Sequence, residues 1–165
     1  MRYLLDSGIL LRVVNRADAL NPQVRAAVGE LRRQQHGFCT GLQNLAEFWN
    51  VCTRPAAARG GLGLSIDATA HRLRILERGV EVLTDTPATY TEWRRLVVAH
   101  GVMGVQVHDA RVVALMLTHG VTHLLTLNKQ DFLRYSGMTV VTPADVQPNF
   151  APPPPPPASP PSTSP

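Results

Sequence analysis

Four carboxylates in the chain stand where their surroundings suit chemistry: Asp6, Glu47, Asp109 and Asp131. Asp6 directly follows the apolar stretch Arg2 to Leu5, a short strand by composition, and ligands of open α/β sheets bind beyond the carboxyl ends of strands. A loop-capping role accounts for an aspartate at that place equally well. Glu47 shares a helix face with Gln43, Asn44, Asn50 and Arg54, because positions three and four apart line up. On helix geometry alone a solvated surface explains that polar face. Asp109 falls in the first turn of an otherwise apolar helix, in line with Val105, Val112, Val113 and Met116, where free N–H groups and the helix dipole compensate it in part. Asp131 follows Asn128 by three residues, a capping arrangement with Asn128 as cap.

Three of the four come from strand-to-helix or helix-start junctions, which a parallel sheet brings to one edge. Ionised carboxylates gathered there repel one another, and without a cation some would be protonated. Hard oxygen ligands with no His or Cys select Mg²⁺ or Mn²⁺ over zinc. His119 and His123 are four residues apart, but Gly120 breaks the helix that would align them on zinc. Trp49, Phe48 and Trp93 have the spacing of core or dimer contacts, with base stacking as the alternative.

The elements that must position these groups follow from hydrophobic period and punctuation. Arg2 to Leu5 is the first strand, and Asn21 with Pro22 opens a helix to about Gln35, with Asn21 as its cap. His36 to Thr40 is a second strand, and Leu42, Leu45, Ala46, Trp49 and Cys52 recur at helical spacing up to Pro55. Arg59 to Leu64 is a Gly-rich loop. Ser65 caps a helix to Gly79, Val80 to Leu83 is a strand, and Thr86 with Pro87 repeats the cap-and-Pro signal for a helix reaching His100. Val107 to Thr118 is apolar on nearly every side, as in a helix packed between other elements. His123 to Thr126 is a buried-type strand, Asn128 to Phe132 a short turn or helix, and Met138 to Val141 a last strand. Strands alternating with helical crossovers give an α/β sandwich with a parallel sheet, spanning residues 1–147 as one domain.

Residues 148–165 change character: the Pro-rich run APPPPPPASPPSTSP has no charge and is expected to be disordered or polyproline II. No uncharged apolar run approaches the roughly 18 to 20 residues of a membrane span, and the N-terminus has no signal-peptide pattern. A soluble, cytoplasmic protein is expected, with Cys39 and Cys52 as thiols. Fifteen Arg and one Lys against 12 acids give a net charge of +4, and setting the four carboxylates aside leaves 16 positive side chains against 8 negative. An acidic pocket in a basic field suits a protein that binds a polyanion and a cation together. A compositional bias towards Ala, Arg and Pro is the other explanation of the Arg excess.

Leu4-Leu5-Asp6-Ser7, Leu45-Ala46-Glu47-Phe48-Trp49, Val107-His108-Asp109-Ala110 and Leu125-Thr126-Leu127-Asn128-Lys129-Gln130-Asp131-Phe132 resemble, in order, the four motifs of PIN-domain nucleases. The resemblance covers about residues 1 to 146 and is nearest to VapC-type toxins of bacterial toxin–antitoxin pairs. It implies a PIN-like three-layer sandwich with a central, mainly parallel sheet flanked by helices. It further implies Mg²⁺- or Mn²⁺-dependent hydrolysis of RNA phosphodiester bonds, an antitoxin partner that blocks the site, and a homodimer. By the same match Asp6, Asp109, Asp131 and Glu47 are the catalytic and metal-binding acids, with Ser7, Thr126 and Asn128 in support. The family commonly has Asn two residues after the first Asp; here that position is Gly8, which puts a supporting amide in doubt. Arg12, Arg54, Lys129 and Arg134 lie near the motifs and are candidates for the RNA backbone. The competing expectation is a non-catalytic PIN-like module that binds RNA or protein. A haloacid-dehalogenase-type phosphatase would need a second Asp at position 8, and a receiver-like phosphoacceptor would need a paired acid beside Asp6.

Overall fold

A computed structural model describes residues 1–146. The Pro-rich segment, and with it the expectation of disorder, lies outside the described residues. Five parallel strands run in the order β3-β2-β1-β4-β5, with β1 Arg2–Leu5, β2 Gly37–Gly41, β3 Glu81–Leu83, β4 His123–Leu125 and β5 Thr139–Val141. Among the described residues seven α-helices accompany the sheet: α1 Ser7–Val14, α2 Asn21–Arg33, α3 Leu42–Thr53, α4 Ile66–Glu77, α5 Pro87–Ala99, α6 Val107–Thr118 and α7 Lys129–Phe132. Among these residues no helix is long and apolar enough to cross a membrane.

The central strand pairs on both sides, Leu4 with Cys39 on β2 and with Leu124 on β4. Its side chains therefore alternate between two buried faces rather than between core and solvent. Leu4 enters a cluster with Leu96, Val113 and Met116 beneath α5 and α6, whereas Tyr3 and Leu5 enter a second with Ile9, Leu31 and Phe48 beneath α1, α2 and α3. Enclosing a side chain such as Phe48 completely is worth about 1.5–3 kcal/mol, so the two clusters fix the helices on their faces. Helix α6 buries Ala110, Val113, Ala114 and Met116 completely. It stops where Gly120 takes a φ of +63° and the Val121 amide donates to the Met116 carbonyl, closing the last turn.

Helix α1 was not expected. SGILLRVV follows the first strand without Gly or Pro between, and eight residues are too few for the periods to separate clearly. Two expected caps are also corrected. Asn21 is the first residue of α2 but its side chain turns away, donating to the carbonyls of Arg12 and Val13 at the end of α1. It closes one helix instead of opening the next. Asn128 flanks α7, yet its side chain makes no capping bond. Ser65 and Thr86 do cap α4 and α5, accepting from the Ala68 and Thr89 amides.

Candidate functional site

The order of the sheet reverses at β1: the chain leaves it for β2 and β3 on one side and returns to β4 and β5 on the other. Such a switch point leaves a crevice at the carboxyl ends of the strands. Asp6 stands there, one step beyond Leu5, with its own amide donating to the Leu125 carbonyl at 3.1 Å. Its carboxylate begins α1, since Oδ1 accepts the Ser7 amide at 2.7 Å. Capping and site placement are thus the same geometry seen twice.

Further donors hold the Asp6 carboxylate. Oδ1 also accepts from Asn44 Nδ2 at 3.2 Å, and Oδ2 accepts from the Thr126 hydroxyl at 2.7 Å. Thr126 Oγ1 in turn accepts the Asn128 amide at 3.1 Å, which fixes the hydroxyl rotor toward Asp6. The Ser7 hydroxyl lies between two carboxylates, 3.2 Å from Asp6 Oδ1 and in short contact with Glu47 Oε2. With one proton it donates to one of them at a time. Burial pushes the Asp6 carboxyl above its ordinary value, the Thr126 and Ser7 donors pull it back, and the charge of Glu47 raises it again.

Glu47 and Asn44 come from α3, and the polar face they share is not a solvated one. Asn44 is fully buried; its carbonyl accepts the Gly41 amide at 3.3 Å while its amide reaches Asp6. Gln43 donates to Glu47 Oε1 at 3.0 Å and to the His108 carbonyl at 3.2 Å, tying α3 to the start of α6. These two residues were on the face identified in the sequence, and the i, i+3 spacing of Asn44 to Glu47 was the available signal. What was missing was which side of α3 meets the sheet. On the opposite face, Gly41 at the start of α3 gives room to α6, because a Cβ there would stand 2.6 Å from Leu115 Cδ2.

A side-chain amide therefore reaches Asp6 from another element, α3. Gly8 is not forced by space: a Cβ would meet Leu127 Cδ1 at 3.7 Å and Arg12 Nη1 at 3.8 Å, ordinary contacts.

Asp109 and Asp131 complete the cluster from α6 and α7. Neither carboxylate makes a hydrogen bond or ion pair among the described residues, in contrast with Asp6 and Glu47. Asp109 is half-buried, and its pKa is pushed up from 3.8 to about 6, first by burial and then by the charges of Asp131, Asp6 and Glu47, against a small opposing effect of His108. No Lys or Arg pairs with any of the four; the ion pairs among the described residues engage other acids. The four are close enough to repel, yet among the described residues no three His, Cys, Asp or Glu side chains converge tightly enough to grip one ion. The four offer hard oxygen donors, the kind a divalent cation takes, with no His or Cys among them.

The basic candidates are partly committed elsewhere. Arg12 donates to the Gly8 carbonyl and pairs with Asp18, Arg54 donates to the Arg59 carbonyl, Lys129 pairs with Asp145 and Arg134 donates to Gln106. His119 Nε2 is bonded to the Thr84 carbonyl and His123 packs against Tyr3, so the two serve the fold. Phe48 is core, and the Trp93 indole donates to the Val107 carbonyl at 3.0 Å.

Comparison with known families matches a PIN domain model over residues 3–138. No curated protein matches the chain. Among solved structures it is similar to VapBC2 from Rickettsia felis bound to a DNA fragment from its promoter, with TM-score 0.64 and 15% identity over 86% of this chain and 98% of that one. It is also similar to VapBC-1 from nontypeable Haemophilus influenzae, with TM-score 0.61 and 14% identity over 87% and 99% of the two chains. A third similar structure is the sarcin-ricin loop cleaving toxin VapC20 of Mycobacterium tuberculosis, with TM-score 0.55 and 19% identity over 74% and 86%.

Proposed function

The chain belongs to the PIN-domain family, and from that premise we propose that it is a Mg²⁺- or Mn²⁺-dependent endoribonuclease, the toxin of a toxin–antitoxin pair. The observation that supports this most directly is the set of four carboxylates at the carboxyl edge of a parallel sheet with no basic side chain paired to any of them. A nuclease must bring a polyanion to that place, which is feasible only with cations between the two.

Asp6, Asp109 and Asp131 would hold the ion directly or through water, and Glu47 would orient it or its water. The chemistry that a divalent ion would supply there is polarisation of the phosphodiester and activation of water. The protein's part is preparatory. Thr126, the Ser7 amide and Asn44 hold Asp6 in one rotamer and favour its ionised form. Gln43 orients Glu47 while bridging to α6, so the two faces of the sheet are locked in register at the site. Asp109, which has no such donors, is the group left to a metal.

RNA as the substrate class draws support from the likeness to a sarcin-ricin loop cleaving toxin, and an antitoxin partner from the likeness to VapBC complexes. A homodimer acting in the cytoplasm completes the reading. Purified protein is expected to cut cellular RNA with Mg²⁺ or Mn²⁺ and to stop on chelation. Asp6→Asn and Asp109→Asn should each abolish cleavage with the far-UV circular dichroism unchanged. Undiminished cleavage by either variant, or cleavage in chelator, refutes the assignment.

A further inference from the structure

The sheet edge that carries Asp6 continues past it to a second feature. Gly41 pairs with Leu83 in register, so the segment after β3 emerges at the same edge, two strands from Asp6 and on the order of 10 Å away. Here Asp85, Thr86, Tyr90, Trp93 and Arg111 surround an open cleft of about 340 Å³. Tyr90 is 61% exposed although it is a large aromatic side chain. Its ring lies 6.2 Å from that of Trp93 at a tilt of 35°, so the two aromatic residues are neighbours in the lining. Arg111, also in the lining, is held by Asp85.

We infer that this cleft, between Tyr90 and Trp93 of α5 and Arg111 of α6, receives an unpaired nucleobase of the RNA next to the cleaved bond. The inference rests on the nuclease reading of the carboxylate cluster and adds to it a base-binding subsite. Aromatic side chains beside an arginine suit a π-faced ligand, because bases stack on aromatic rings and on guanidinium planes alike. Arg94, one turn along α5 on the Tyr90 side, adds a positive charge for the adjoining phosphate.

The cleft is also mechanically tied to the carboxylates. Arg111 is two residues from Asp109 on α6, and Trp93 is bonded to the Val107 carbonyl in the same first turn. The Arg111–Asp85 pair and the bond from His119 to the Thr84 carbonyl hold the β3–α5 segment against α6. A base seated there positions its own backbone relative to Asp109, and the two sites cannot drift apart without breaking those contacts.

The test uses the full chain with Trp49→Phe, which leaves Trp93 as its only tryptophan, and with Asp109→Asn in Mg²⁺, so that binding is read without cleavage. A single-stranded oligoribonucleotide of about eight nucleotides should quench Trp93 fluorescence. Tyr90→Ala should weaken binding about 5- to 150-fold, the range for loss of one stacked base, while Tyr90→Phe keeps it. With metal present, Tyr90→Ala should raise KM by a similar factor. Absent quenching, or unaltered affinity in Tyr90→Ala, overturns the subsite even if Asp109→Asn confirms the nuclease. Conversion of a dimer to a monomer by Tyr90→Ala with RNA affinity unaltered overturns it too, and marks the face as a contact between copies. Quenching and its loss in Tyr90→Ala, in a protein that never cleaves, would sustain the subsite and dispose of the nuclease reading.

Discussion

Replacing Asp109 by Asn should stabilise the metal-free protein at neutral pH. The folded chain raises the pKa of this group from 3.8 to about 6, so at pH 7.5 folding forces a charge into a place that disfavours it. For a fully enclosed group the rise would correspond to about 3 kcal/mol. Asp109 is half-buried, and solvent screening lowers this to about 1.5 kcal/mol; the favourable dipole at the start of α6 offsets roughly another 0.5 kcal/mol. About 1 kcal/mol remains, which for a domain of this size is a Tm rise of about 2–4 °C. The direction with pH follows from linkage. The folded state holds the proton more tightly than the unfolded chain, so the penalty is absent below pH 4, grows between 4 and 6, and is complete above 6. Melting curves of wild type and Asp109→Asn in chelator, from pH 4 to pH 8, should diverge over that window with the variant higher. Excess Mg²⁺ or Mn²⁺ should reverse the order, because only the wild type gains binding free energy from the ion. A variant that melts at or below the wild type in chelator at pH 7.5, or a difference that does not change between pH 4 and 7, would refute the account of Asp109 as an uncompensated charge.

Thr126→Val removes the donor to Asp6 Oδ2, so the Asp6 carboxyl should rise further and the acid limb of the cleavage profile should move to higher pH; an unmoved limb means the hydroxyl is not holding the ionised form. Asn44→Ala strips one donor from Asp6 and leaves the buried Gly41 amide unpaired, a loss of about 1–3 kcal/mol in urea denaturation. Gly41→Ala places a Cβ against Leu115 and should cost about 1–3 kcal/mol, with a double-mutant cycle to Leu115→Ala showing strong coupling; additive effects would rule out the close approach as the cause. Gly8→Ala meets only ordinary contacts and should stabilise α1 by roughly 0.5–1 kcal/mol with cleavage intact, since a side-chain amide reaches Asp6 from α3.

Elements with their own punctuation were legible from local signals. Ser65 before α4, Thr86-Pro87 before α5 and Gly120 after α6 set boundaries through bonds made within a few residues. Helix α1 lacked such a signal except Asp6 itself, and an apolar octamer is compatible with either period. Asn21 and Asn128 show the converse: each stands where a cap is usual, but neither side chain caps its own helix, Asn21 having found partners on α1. A local rule was overridden by a nonlocal hydrogen bond.

At the site, the order and junction placement of Asp6, Glu47, Asp109 and Asp131 were properties of the sequence, and so were the strand and helix pattern and the parallel sheet it demands. The roles of Asn44 and Gln43 were not, because a polar helix face looks the same whether it meets water or another polar group across a sheet. Only tertiary packing, with α3 on the Tyr3 and Leu5 side of the sheet and α6 on the other, decided that Asn44 faces Asp6 and that Asp109 is left without a donor. Residue types and spacing record which groups are available; the distances that make them partners or leave them unpaired arise where segments remote in sequence meet.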